Sequence, residues 1–232
     1  LWHGPTCAFK DMALTMLPHL LTAARRKVGE KDRSLIMVAT SGDTGKAALE
    51  GFRDVEGTDI IVFYPTGGVS DMQKKQMMTQ EGDNVCVCAI EGNFDDTQNA
   101  VKAIFADEEM GKLLHERGFK LCSANSINWG RLVPQIAYYV SAYCDLLNEG
   151  RIELGDKVDF CVPSGNFGNI LAAYYAMRMG VAVNKLICAS NVNNVLTDFF
   201  TTGKYDVKRD FHKTISPSMD ILISSNLERL LF

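Results

Sequence analysis

The sequence predicts an α/β protein built as two lobes of parallel sheet flanked by helices. The first reason is alternation. β-branched or apolar runs at residues 35–40, 60–65, 85–90, 119–123, 158–162 and 185–189 are separated by helical stretches, the order that parallel sheets require. The second is that the first and fifth of these runs lead through a glycine-containing turn straight into a helix. The third is a stop signal at Asn148-Glu149-Gly150, which closes a long amphipathic helix and marks a junction between lobes.

Residues 11–28 read as the first helix, with Met12, Met16, Leu17, Leu20 and Leu21 as its apolar side and Pro18 as a kink. After the second strand, Ser70 and Gln73 have the spacing of a capping box, and Lys74 and Lys75 behind them read as solvated. Asn93-Phe94-Asp95-Asp96-Thr97 reads as a helix-capping turn. Residues 131–148 form the long helix, which carries Tyr138, Tyr139 and Tyr143. No internal repeat, low-complexity tract or Ser/Gly linker divides the chain, so it is expected to cross between the lobes.

At 232 residues the chain has ample apolar material for a buried core. Its formal charge is only -4 and its basic residues are scattered, which argues against nucleic-acid or acidic-membrane partners and for small molecules. Seven cysteines without a C-x-x-C pair read as reduced core thiols of a cytoplasmic protein. Cys86 and Cys88 alternate with Val85 and Val87, which puts both on one sheet face, as packed side chains rather than metal ligands. The four histidines share no ligand spacing, and no metal is expected. No basic-then-apolar leader opens the chain and no apolar run approaches the roughly 20 residues that span a bilayer, so neither secretion nor membrane insertion is expected. Leu1 opens the chain inside a motif, which reads as a fragment of a longer protein.

Three segments carry chemistry. ATSGDTGKAA, from Ala39, places Thr40, Ser41, Asp43 and Thr44 where backbone N–H groups meet the positive end of a helix dipole, a setting for an anion. A nucleotide P-loop would need glycine at Thr40 and a hydroxyl residue at Ala47, and has neither. VPSGNFGNILAA, from Val162, repeats the logic with Gly165, Asn166, Phe167, Gly168 and Asn169. A dinucleotide fingerprint would need glycine at Pro163 and an acid about 20 residues past Gly168, and both are missing. Each loop alone is as compatible with a capping turn as with a phosphate site, whereas two in one chain favour a ligand.

LWHGPTCAFKD then places Lys10 at a helix start, where a lysine is ordinarily solvated. Beside two anion cradles it reads as a reactive amine, because a cofactor with both an aldehyde and a phosphate needs one of each. Pyridoxal phosphate has that chemistry. In NSINWGR, Asn125 and Asn128 are turn residues or ligands, and Arg131 is a surface charge or a bidentate anion clamp.

Taken together, LWHGPTCAFKD, ATSGDTGKAA, YPTGGVSDMQKKQM, EGNFDDTQ, NSINWGR and VPSGNFGN resemble threonine synthase, of the pyridoxal-phosphate enzymes of fold type II, which are tryptophan synthase β-like. The motifs stand in the family's order and cover nearly the whole chain, while family members are longer at both ends. The resemblance implies a smaller α/β domain, residues 13–148, inserted in a larger cofactor-binding domain to which residues 1–12 and 149–232 belong. It implies that Lys10 forms the Schiff base and that the backbone from Gly165 to Asn169 holds the cofactor phosphate. Thr40, Ser41, Thr44, Asn125 and Arg131 match positions that bind the phosphate and carboxylate of O-phospho-L-homoserine. Asp43 falls near the cofactor 3-hydroxyl, where much of the wider fold type has asparagine, and a carboxylate there cannot donate a hydrogen bond unless protonated. The implied reaction yields L-threonine and phosphate from O-phospho-L-homoserine and water. A dehydratase, a phospho-lyase on a related phosphorylated amine, and a catalytically incomplete fragment are the alternatives.

Overall fold

A computed structural model of the chain describes residues 2–40, 42–67, 69–126 and 128–232, without the Asp95 side chain. The Ser41 expectation therefore lies outside the described residues. The chain forms two compact units, Leu1–Arg131 and Leu132–Phe232.

In the first unit, strands β1 (Arg33–Ala39), β2 (Thr58–Pro65), β3 (Val85–Ile90) and β4 (Phe119–Ser123) form one sheet in the order β3-β2-β1-β4. Every pairing is parallel, with Ile36 opposite Ile60 on one side and Cys122 on the other. Helices α1 (Asp11–Val28), α2 (Asp43–Phe52), α3 (Asp71–Met78), α4 (Phe94–Ala106) and α5 (Glu108–Glu116) form the connections and lead-in. β1 is central, and Ile36, Met37 and Val38 are buried in succession, as a strand covered on both faces requires. The chain proceeds from β1 outward to β2 and β3, then returns to add β4 on the other side of β1. Strand order thus reverses between β1 and β4, and the loops leaving the C-terminal ends of these two strands flank the crevice where parallel sheets bind ligands.

The core of this unit joins Leu14 and Leu17 of α1, Ala48, Leu49 and Phe52 of α2, and Val38, Ile60 and Val62 of the sheet. Each large side chain so buried contributes about 1.5–3 kcal/mol. The sequence reading of α1 is corrected here: Met16 and Leu20 are exposed, and the buried positions are Asp11, Ala13, Leu14, Leu17 and Pro18. Pattern alone places several overlapping stripes on a helix this apolar, and packing against α2 selects the one through Leu14 and Leu17. Extended back one turn from Leu14, that stripe reaches Lys10.

Pro18 has no N–H to offer the Leu14 carbonyl, and this part of α1 lies against Gly51 of α2. A Cβ at Gly51 would be driven into the Leu14 carbonyl.

The cysteines also differ from expectation. None of the seven is buried: Cys7, Cys86, Cys144 and Cys161 are exposed and the others half-buried. Cys86 and Cys88 do share a face, their sulfurs 3.8 Å apart, but β3 is an edge strand and that face is incompletely covered.

In the second unit, β5 (Val158–Pro163) and β6 (Val183–Ala189) pair in parallel around the crossover helix α7 (Gly168–Arg178). α7 buries Ile170, Leu171, Ala172, Ala173 and Ala176, so it is a core helix rather than an amphipathic one. Helix α6 (Trp129–Asn148) supplies Tyr139, whose ring meets Phe160 edge-on at 5.1 Å, and α8 (Val195–Thr202) supplies Leu196. A 3-10 turn, Pro217–Met219, and a last short helix α9 (Glu228–Leu231) follow. Among the described residues no helix is long and apolar enough to cross a membrane.

Gly51→Ala should destabilise the first unit by about 2–3 kcal/mol, because the obstacle is backbone and cannot move aside. A urea denaturation midpoint close to that of the parent chain would contradict the close approach of α1 and α2.

Candidate active site

Lys10 is placed by the carboxylate that follows it. Asp11, itself buried, accepts a hydrogen bond from the Thr6 N–H at 2.9 Å and another from the Thr6 hydroxyl, closing the Gly4-Pro5-Thr6 loop onto the first turn of α1. A carboxylate there is also favoured by the helix dipole. Gly4 lies so near that a Cβ would stand 2.5 Å from Asp11 Oδ2. The loop and the helix therefore meet with Lys10 at the joint, its carbonyl accepting from the Leu14 N–H at 3.0 Å.

The Lys10 side chain is 8% exposed. Its Nζ lies 3.4 Å from Asp43 Oδ2 and 4.6 Å from the centre of the Phe9 ring. Burial penalises the ammonium and pulls its pKa down; Asp43 pulls it back up, and the positive charge of Arg131 lowers it again, leaving it at about 8. Such an amine is partly neutral near physiological pH and so is a usable nucleophile and base.

Asp43 opens α2, and its two oxygens serve different neighbours. Oδ2 takes Lys10, and Oδ1 accepts from the Gln73 side-chain amide at 2.5 Å. The preceding loop is organised by Thr40, which is buried and whose hydroxyl oxygen accepts from the N–H groups of Gly42 at 3.0 Å and Gly45 at 2.9 Å. Two amides that the sequence presents as parts of an anion cradle are thus satisfied internally. Thr44 is half-buried on the first turn of α2.

Across the strand-order reversal, the loop after β4 leads to Arg131, which is buried at 5% exposure rather than a surface charge. Its Nη1 donates to the Ala124 carbonyl at 2.8 Å. Burial pulls its pKa down to about 10, so it remains a cation at neutral pH. Asn128 is a turn residue: its Nδ2 donates to the Ser123 carbonyl at 2.7 Å and its Oδ1 accepts from the Gly130 N–H at 2.9 Å. Asn125 is half-buried, its N–H bonded to the Ser123 hydroxyl at 3.1 Å. The first unit thus brings Lys10, Asp43 and Arg131 into one electrostatic group.

The second unit builds the other loop. Phe167 is buried in the left-handed conformation, φ 66°, immediately before α7. The Asn169 side chain turns toward α6, where its Oδ1 accepts from the Tyr138 hydroxyl at 2.6 Å and also from Tyr139. Burial pushes both phenols well above their ordinary range. Asn169 can therefore offer a ligand its backbone N–H at the helix N-terminus, while that side-chain oxygen is engaged. Residues 221–226 wrap the loop. Ser224 donates to the Gly165 carbonyl at 2.6 Å, and Asn226 donates to the Asn166 carbonyl from both its N–H and its side chain, each at 3.1 Å. A Cβ at Gly165 would stand 2.9 Å from Ile221, and one at Gly168 3.3 Å from Asn226. Asp220 anchors the wrap: its carboxylate accepts from Asn191, Asn193 and both the N–H and hydroxyl of Thr214, at 2.7–3.1 Å.

A family model described as pyridoxal-phosphate dependent enzyme matches residues 1–231. The chain belongs to this family. It is 50% identical over 99% of its length to threonine synthase-like 1 of Homo sapiens, covering 31% of that protein. To threonine synthase of Pseudomonas aeruginosa it is 50% identical over its whole length, covering 47%. The crystal structure of pyridoxal-phosphate-bound threonine synthase from Brucella melitensis matches with a TM-score of 0.89 at 45% identity, covering the whole of this chain and 47% of that one. The fold is that of fold type II, and the chain spans about a third to a half of the length of these relatives.

The residues present suit the family's cofactor. A buried, partly neutral lysine is the group an aldehyde requires, and the N-terminus of α7, within its own unit, has the backbone amides and glycines that suit a phosphate. Among the described residues no cluster of three or more His, Cys, Asp or Glu is placed to hold a metal ion. Sequence reasoning missed Gln73, Asp11 and the 220–226 wrap. Only Gln73 left a signal there, and it reads as an ordinary helix cap.

Two outcomes test this geometry. The folded-state pKa of Lys10 lies below its unfolded value, so between about pH 8 and 10.5 the unfolded chain binds more protons and stability rises with pH; below pH 8 the full penalty is present. Lys10→Met should therefore stabilise the fold by about 1–3 kcal/mol at pH 7 and by little at pH 10.5 in urea titrations. Asp220→Ala should cost about 1–3 kcal/mol and expose residues 204–226 to limited proteolysis, detected by mass mapping of the cleavage products.

Proposed function

We propose that this chain carries the reactive lysine and the anion-binding residues of a threonine synthase, which converts O-phospho-L-homoserine and water to L-threonine and phosphate. The observation that carries the reading is the group in the first unit: a buried amine with its pKa brought down to about 8, beside a buried arginine that stays charged. In this reading residues 13–148 are the smaller domain of the longer enzyme, and 1–12 with 149–232 belong to its larger one. The enzyme is cytoplasmic and acts on a small molecule, without nucleic-acid or membrane partners.

Bound pyridoxal phosphate supplies an aldehyde that condenses with amines and a ring that delocalises negative charge from the substrate α-carbon. Lys10 is the amine that would hold it, and the backbone of Gly165, Asn166, Phe167, Gly168 and Asn169 would grip its phosphate. Asp43 would serve the ring hydroxyl. Thr40, Ser41, Thr44, Asn125 and Arg131 bind the substrate's phosphate and carboxylate. Thr40 does so with its proton, since its oxygen already accepts two amides. With a pKa of about 8, the Lys10 amine is suited to accept the substrate α-proton and to help transfer a β-proton. Arg131 offsets the charge of the departing phosphate dianion, which lowers the barrier to its loss from the γ-carbon. Protons return to the γ- and α-carbons, and water adds at the β-carbon.

Identity to threonine synthase-like 1 equals that to the bacterial threonine synthase, so the assay must follow threonine and phosphate separately. A threonine synthase releases both in equal amounts, and a phospho-lyase releases phosphate without threonine. After loading with pyridoxal phosphate and borohydride reduction, peptide mapping should find the pyridoxyl group on Lys10. Arg131→Ala should slow phosphate release from O-phospho-L-homoserine by about a hundredfold or more. Absence of modification at Lys10, or undiminished release in the arginine variant, would overturn the corresponding role.

A further inference from the structure

Gln73 lies on α3, outside every role given above, yet its side chain ends at Asp43. The amide is held from three sides. Its Nε2 donates to Asp43 Oδ1 at 2.5 Å, and its Oε1 accepts from the Ser70 hydroxyl at 3.0 Å. Its flat end lies over Gly42, φ 146°, so closely that any Cβ at that glycine would overlap it. Ser70 in turn accepts the Gln73 N–H at 3.3 Å, as the cap of α3. In a capping box the glutamine side chain would return to the backbone of the cap residue. Here it bonds the cap hydroxyl instead and turns its NH₂ to Asp43. Because Oε1 meets a hydroxyl donor and Nε2 meets a carboxylate, the orientation of the amide is determined by its partners.

We propose that Gln73 is a positioning residue for the reactive lysine: by holding Oδ1 of Asp43, it keeps Oδ2 facing Lys10 Nζ, and so couples helix α3 to the protonation of that amine. Asp43 is 23% exposed and stands at the start of its helix, where water competes for its carboxylate. The charged groups acting on Lys10 are Asp43 on α2, Asp11 on α1 and Arg131 on α6; Gln73 adds no charge of its own. Without the Gln73 donor, Oδ1 of Asp43 loses its hydrogen bond from α3, and the carboxylate's support of the ammonium weakens against burial and Arg131. The role of Gln73 rests on the reading of Lys10 as the reactive amine, whereas the readout below is the free amine without cofactor, so the two can fail separately.

The experiment is trace acetylation with acetic anhydride across pH 6–11, roughly the range between the lowered and ordinary lysine pKa values, with Lys10 followed by mass spectrometry. The parent chain should show a midpoint near pH 8. Gln73→Met should move it down by about half to one pH unit. In the Asp43→Asn background, the same substitution should move it by less than about 0.2 unit, since the interaction it supports is already gone. An unchanged or higher midpoint in Gln73→Met, or an equal shift in both backgrounds, overturns the assignment. Should Gln73→Met fail to fold by circular dichroism, Gln73→Asn carries the test with the same expected shift, because its amide falls one methylene short of Asp43.

Discussion

The arrangement depends on one ion pair. Lys10 is buried well enough that its ammonium is strongly disfavoured, and Asp43 is the carboxylate set against that penalty. At 3.4 Å the contact is longer than an ideal charge-assisted bond, so compensation is partial and the amine keeps a pKa of about 8, below that of an ordinary lysine. Arg131, buried nearby, adds a repulsion that lowers the pKa further. A lysine left wholly exposed would have no reason to lose its proton, and one fully paired would be slow to give it up.

Holding that pair in place occupies much of the first unit. The stripe through Leu14 and Leu17 that packs α1 also directs Lys10 inward, and the Thr6–Asp11 clasp brings the preceding loop to it. The strand-order reversal between β1 and β4 brings the Asp43 loop and the approach to Arg131 out at the same end of the sheet. Core packing and site chemistry are consequently the same problem here: a register change in α1 would move the amine and the hydrophobic stripe together.

The two glycine loops read alike in sequence and are built differently. After β1, a buried threonine takes up the amides of Gly42 and Gly45, so those two amides are satisfied from within the loop. After β5, the turn is braced from outside: tyrosines of α6 take the Asn169 side-chain oxygen, and Ser224 and Asn226 take carbonyls. Those partners face carbonyl and side-chain acceptors, which is the arrangement that leaves N–H groups at a helix start for an anion.

The six strands of the described residues were legible, because β-branched runs between helical segments admit few other readings, and the motif order pointed to Lys10, Asp43 and Arg131 as residues to watch. The sequence by itself determined these elements and the loop positions, since each depends on neighbours a few residues away. Only the tertiary structure decided which stripe of α1 is buried, that Arg131 is inside, that the cysteines are not, and that Gln73 serves Asp43. Each of those outcomes depends on a surface supplied from elsewhere in the chain, such as Gly51 against Leu14 or Gly42 beneath the Gln73 amide. Local pattern carries no record of such a surface until the chain has folded.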